Sequence, residues 1–111
     1  MGNNLKVCST SEIPKGEMRV FSKHGVQFLI YNKNNEFFAL YNHCPHADGS
    51  LGEGMVNEEG YIMCPLHSWK FHHKTGKAPE GQDHSVPTFD IEVRNNEIYF
   101  DEQQLMDFDE F

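Results

Sequence analysis

The stretch MRVFSKHGVQFLIYNKNNEFFALY, Met18 to Tyr41, decides the fold. Three runs rich in Val, Ile, Phe and Tyr occupy Met18 to Phe21, Val26 to Tyr31 and Glu36 to Tyr41. Between them stand Lys23-His24-Gly25 and Asn32-Lys33-Asn34-Asn35. Apolar runs of this length read as strands, and Gly- and Asn-containing breaks tolerate the positive φ of a tight hairpin, so a β meander is predicted. Further out, Leu5 to Cys8 adds a strand before the meander. Thr88 to Arg94 and Glu97 to Phe100, joined by Asn95-Asn96, add a closing hairpin. Ser11-Glu12-Ile13-Pro14 has the form of one helical turn, but no stretch sustains a 3.6-residue period. The expected class is all-β with almost no helix.

A chain of 111 residues with 38% hydrophobic and 13% aromatic side chains is sized for one domain with a real core, spanning residues 1–111. Seventeen acidic residues against nine basic ones give a formal charge of -8. Such a surface makes nucleic acid and anionic membrane poor partners. The apolar run Val26 to Tyr31 falls far short of the ~20 residues that span a bilayer, and Met1 to Lys6 lacks the apolar core of a secretory signal. A cytoplasmic location and a monomer are the expectations. The end, Asp101 to Phe111, holds five acids among eleven residues and reads as a solvated tail, or alternatively as a docking surface for a basic partner.

The section Asn42 to Pro87 breaks the strand pattern and carries most of the prolines and histidines and two of the three cysteines. Within it stand Cys44-Pro45-His46 and, after seventeen intervening residues, Cys64-Pro65-Leu66-His67. Each arm offers one thiolate and one imidazole, and a proline after each cysteine stiffens its loop. Two short loops converging from a β framework can bring four such ligands to one centre. Three cysteines cannot all pair with one another, and a histidine near both Cys44 and Cys64 favours metal ligation over a disulfide. A tetrahedral zinc site has the same ligand count, but zinc modules usually place two cysteines in one arm and two histidines in the other. A thiolate–imidazole nucleophile is a further, weaker reading. Cys8, in an apparent strand, reads as a small buried apolar residue. His43, His72 and His73 read as surface imidazoles without a coordinating role, and His24 and His84 as loop residues. Phe37, Phe38, Leu40 and Tyr41 read as packing.

The spacing Cys44-x-His46 and Cys64-x-x-His67, with Leu51-Gly52, Ser68-Trp69-Lys70-Phe71 and Thr75-Gly76 around it, resembles the Rieske [2Fe–2S] signature. The resemblance implies an antiparallel β-sandwich with an inserted cluster-binding subdomain, approximately residues 43–85, holding one [2Fe–2S] cluster. Cys44 and Cys64 would bind one iron, and His46 and His67 the other. Ala78-Pro79-Glu80-Gly81 would be a third loop covering the cluster. The Rieske proteins of cytochrome bc complexes carry a disulfide whose positions correspond here to Gly49 and Leu66, and present Ser and Tyr hydroxyls where this chain has Trp69 and Phe71. Ser68 stands where glycine is usual. Fewer donors to the cluster imply a potential near the low end of the range, roughly -150 mV. The chain is similar to bacterial Rieske ferredoxins of ring-hydroxylating oxygenase systems and to the small subunit of assimilatory nitrite reductases. The resemblance implies a one-electron carrier between a ferredoxin reductase and a terminal redox enzyme, and with no further metal site, flavin motif or nucleotide-binding glycine loop visible in the sequence, no substrate conversion by the chain alone is expected.

Overall fold

A computed structural model describes residues 4–43, 50–65, 69–82 and 84–106, with the backbone alone for 105 and 106. The ligand candidates Cys44, His46 and His67, together with Gly49, Leu66 and Ser68, lie outside the described residues.

The meander forms as the sequence predicts: β2 (Met18–Lys23), β3 (Val26–Lys33) and β4 (Glu36–Tyr41) pair antiparallel in order. Their turns are two residues long, and the central residues have positive φ: 51° and 76° at His24-Gly25, 52° and 70° at Asn34-Asn35. That backbone twist matches the twist of paired strands. The Asn32 side chain secures the second turn, accepting the Asn35 N–H at 2.7 Å and donating to the Ile13 carbonyl at 2.7 Å.

Two further sheets flank this one. The first is β1 (Asn4–Ser9), β10 (Glu97–Asp101) and β9 (Ile91–Arg94), with a bulge between Lys6 and Cys8. The second is β5 (Met55–Val56), β6 (Tyr61–Met63) and β7 (Lys70–His72). Every strand pair is antiparallel. Strand β3 explains the stacking. Phe28 and Ile30 point into a cluster with Cys8, Ile13, Ala39, Phe89, Ile98 and Phe100. Leu29 and Tyr31 point the other way, among Leu40, Leu51, Ile62, Cys64, Phe71 and Val86. A strand buried on both faces has no polar side to present, so its sequence is a near-continuous apolar run rather than an alternation.

Three local expectations are corrected. Thr88 to Arg94 is not one strand: β8 (Thr88–Phe89) pairs with β4, and β9 joins the outer sheet. Between them, Asp90 donates its N–H to Gln104 Oε1 at 2.7 Å and accepts from Gln104 Nε2 at 2.9 Å. These side-chain bonds replace the ladder bonds of a continuous strand. Gln104 belongs to a short helix, α1 (Glu102–Met106), so the first part of the acidic end is folded onto the body. Glu102 also meets His24 Nε2 at 2.6 Å across the β2–β3 turn, a long-range pairing that local sequence does not announce. Residues 107–111 of the tail lie outside the described residues.

The third correction is His73, which is not a surface imidazole but is 1% exposed. Its Nδ1 lies 2.8 Å from the Gly60 carbonyl, and its ring meets Phe38 and Tyr31 edge-on. Burial pushes its pKa below the ordinary imidazole value. On acidification the unfolded chain therefore takes up a proton that the folded chain refuses. Stability should fall as pH drops below about 6.5, by up to about 1.4 kcal/mol per pH unit until folded His73 itself titrates. His72, lowered chiefly by burial, acts in the same sense. Urea unfolding between about pH 5 and about pH 8 should show this slope and a shallower one in His73→Phe; equal slopes would remove His73 as its source. Phe28→Ala, which empties a fully buried site, should cost about 3–5 kcal/mol in the same assay at neutral pH.

Candidate metal centre

The two segments that carry the candidate ligands leave the fold from fixed points. The first departs after β4. The Asn42 backbone N–H donates to the Gln27 carbonyl at 3.0 Å, and its buried side chain reaches across the loop base. Asn42 Oδ1 accepts the Gly52 N–H at 2.6 Å and Nδ2 donates to Ser50 Oγ at 2.8 Å. One amide thus ties the start of the segment carrying Cys44 and His46 to its end. A 3₁₀ turn over Leu51–Glu53 follows and seats Leu51 in the apolar cluster that also contains Cys64.

The second segment is the β6–β7 connection. Cys64 directly follows β6, is 2% exposed, and donates its N–H to the Trp69 carbonyl at 2.7 Å. This bond closes the loop on which His67 lies in sequence. The two loop bases are in contact: a Cβ built on Gly54 would overlap the Met63 carbonyl oxygen, so only glycine allows the exit of the first segment to pass this close to β6. A cleft of about 310 Å³ lies at the junction, lined by Glu53, Gly54, Met55, Met63, Cys64 and Pro65.

Cys64, the one candidate ligand among the described residues, fits a thiolate ligand of an iron–sulfur group. Cys64 is a free, buried thiol at a loop base, where an apolar shell limits water at a bound metal. Cys8 cannot join it, since it belongs to the cluster on the opposite face of the central sheet. Burial there pushes the Cys8 thiol up to about 11, which suits an inert apolar residue and not a metal ligand. With three cysteines in the chain and one walled off, a four-thiolate site is excluded. Among the described residues no three His, Cys, Asp or Glu side chains form a rival metal site.

Two contacts beside the site, both made by His84, were not legible beforehand. Trp69 stacks on His84, with ring centroids 4.0 Å apart and planes 12° from parallel, and Phe71 meets the same imidazole edge-on at 5.1 Å. The sequence marks His84 only as a loop residue, because a contact between positions fifteen apart leaves no local pattern. Phe71 is fully buried and carries no hydroxyl.

Comparison with known proteins agrees with this geometry. The model of the Rieske [2Fe-2S] domain matches residues 3–90. The 3-phenylpropionate/cinnamic acid dioxygenase ferredoxin subunit of Escherichia coli (strain K12) is 29% identical over 102 residues, covering 89% of this chain and 93% of that protein. Its counterpart in Shigella flexneri serotype 5b is 30% identical over the same length and coverage. Among solved structures, a chain of the complex of reduced oxygenase and oxidized ferredoxin in carbazole 1,9a-dioxygenase superposes with a TM-score of 0.78 at 30% identity, covering 86% of this chain and 98% of that one. The ferredoxin of carbazole 1,9a-dioxygenase from Nocardioides aromaticivorans IC177 gives 0.78 at 26%, covering 87% and 95%. A nitrite reductase NADPH small subunit gives 0.78 at 16%, covering 88% and 97%, and shares the fold. The antiparallel β layers, the clipped loop bases and the buried free thiol are therefore those of a chain that belongs to the Rieske [2Fe–2S] domain family, whose domain binds one [2Fe–2S] cluster.

Proposed function

We propose that the chain is a one-electron carrier that takes electrons from a ferredoxin reductase and delivers them to a terminal oxygenase or a similar enzyme. The cluster is held by Cys44 and Cys64 on one iron and by His46 and His67 on the other, within a cluster-binding subdomain of residues 43–85 in a single domain of 1–111. The observation that carries this reading is the pair of loop bases. Asn42 clips one ligand segment and the Cys64–Trp69 bond clips the other, and both rest on the same apolar cluster. When bound, the cluster supplies a reversible one-electron couple. The protein's part is to fix four side chains so that little rearranges when charge changes, and to keep water from the thiolate side.

The positions of a bridging disulfide are occupied by Gly49 and Leu66, and Phe71 offers no hydroxyl. With these stabilising contacts missing, the reduced and more negative state is less favoured, which supports a potential of roughly -150 mV. Dioxygenase ferredoxin subunits match over nearly their whole length, which supports a carrier over a multi-step catalyst. The nitrite reductase neighbour shares only the fold at its identity, so that alternative rests on fold likeness.

The large apolar side chains exposed among the described residues, Val20, Met55 and Val93, belong to three separate strands. Their scatter supports a monomer. No helix of the described residues is long and apolar enough to cross a membrane, which is compatible with the proposed cytoplasmic location. A charge of -8 favours brief encounters with basic patches on the partners. The second-order rate of reduction by a cognate reductase should fall several-fold between about 50 mM and about 500 mM salt. A flat profile would rule out electrostatic docking.

Cys64→Ser and His67→Ala should each yield folded protein lacking the normal complement of two iron and two sulfide; full retention of the native cluster in either would remove that residue from the ligand set. Asn42→Ala strands the Gly52 N–H and the Ser50 hydroxyl, and should lower stability by about 1–3 kcal/mol. Its visible absorption should also bleach faster than wild type in the presence of chelator.

A further inference from the structure

The segment 77–85 is built to hold its own shape. Lys77 and Ser85 form an isolated antiparallel bridge. The Ala78 N–H donates to the His84 carbonyl at 3.0 Å, and the Gln82 N–H to the Pro79 carbonyl at 3.1 Å. At its foot the His72 N–H donates to the Lys77 carbonyl and the Val86 N–H to the Gly76 carbonyl, both at 2.8 Å. These bonds close the segment on itself and anchor it to the end of β7. They do not by themselves hold it against the loop that begins at Cys64.

The side chain of His84 supplies that link. Its ring lies flat on Trp69, the residue whose carbonyl closes the Cys64 loop, and is flanked by Phe71. Its Nε2 is buried without a hydrogen-bond partner among the described residues. A polar nitrogen left unpaired is a cost, so the ring is held at this place by its stacked face and not by that nitrogen. Near-parallel rings at this separation form a short-range, orientation-dependent contact.

We propose that the Trp69–His84 stack is the clasp that holds segment 77–85 against the second ligand-bearing loop, making His84 a positioning residue for the cluster although it is not a ligand. The inference rests on the reading that Cys64 and His67 hold the [2Fe–2S] group. Opening the clasp frees the segment from Trp69 and admits water at that loop, and greater solvent exposure favours the more negative reduced state.

The test uses anaerobically purified holoprotein, wild type beside His84→Ala and His84→Phe. Visible absorption is followed in air with chelator, the midpoint potential is measured by redox titration, and far-UV circular dichroism monitors the fold. His84→Ala should bleach about 2- to 10-fold faster, with its potential moved upward. His84→Phe, which keeps a flat ring on Trp69 and gives up the ring nitrogens, Nε2 unpaired among the described residues, should match wild type in both. His84→Leu, which fills the space without an aromatic face, should behave like His84→Ala and takes its place if that variant does not fold. Wild-type behaviour in His84→Ala or His84→Leu would overturn the proposal. So would His84→Phe behaving like His84→Ala, because a ring nitrogen and not the stacked face would then be what matters. A wild-type protein without a Rieske spectrum would instead sink the cluster reading itself, a result distinct from either.

Discussion

The burial of β3 on both faces is the constraint from which the rest of the molecule follows. Phe28 and Ile30 need one apolar layer, and Leu29 and Tyr31 need another. The outer sheet of β1, β10 and β9 satisfies the first requirement with residues from both ends of the chain. The second is met by the section that carries the proposed ligands. The small sheet of β5, β6 and β7, with strands of two or three residues, has too little surface to be stable alone. It is held because Leu51, Ile62 and Phe71 complete the core of the meander. Site and core are thus one packing problem.

That coupling gives two loops fixed bases from which the four proposed ligands would be presented. Each is closed at its base by a short hydrogen bond, one from the Gly52 N–H to the Asn42 side chain and one from the Cys64 N–H to the Trp69 carbonyl, and Gly54 lets the bases touch. Fixed ligands lower the structural change that accompanies a change of charge, which is the protein's contribution to a cofactor that carries the electron itself. The division of the cysteines follows the same layering. Cys64 faces the layer shared with the ligand loops, and Cys8 faces the opposite one.

Much of this was legible in the sequence because the signals were local. His24-Gly25, Asn34-Asn35 and Asn95-Asn96 all carry the positive φ their residue types permit, and the six runs read as strands fall on the observed ones, save for the break at Asp90. The Cys-x-His and Cys-x-x-His spacing led to the family. What escaped the reading was either too short or too distant. Strands β5 to β7 are too brief to show a period of two. The helix at Glu102–Met106 is barely more than a turn and draws its support from the contacts of Glu102 with His24 and of Gln104 with Asp90. The burial of His73 and the stacking of His84 on Trp69 depend on partners brought together only by the finished fold.

The most direct test of the central claim is the low-temperature EPR spectrum of the dithionite-reduced protein, with iron and acid-labile sulfide assayed on the same sample. The account predicts a coloured protein whose reduced form gives a Rieske-type spectrum, with about two iron and two sulfide per chain. A colourless protein that holds zinc, gives no signal on reduction and takes up no cluster on reconstitution would contradict it.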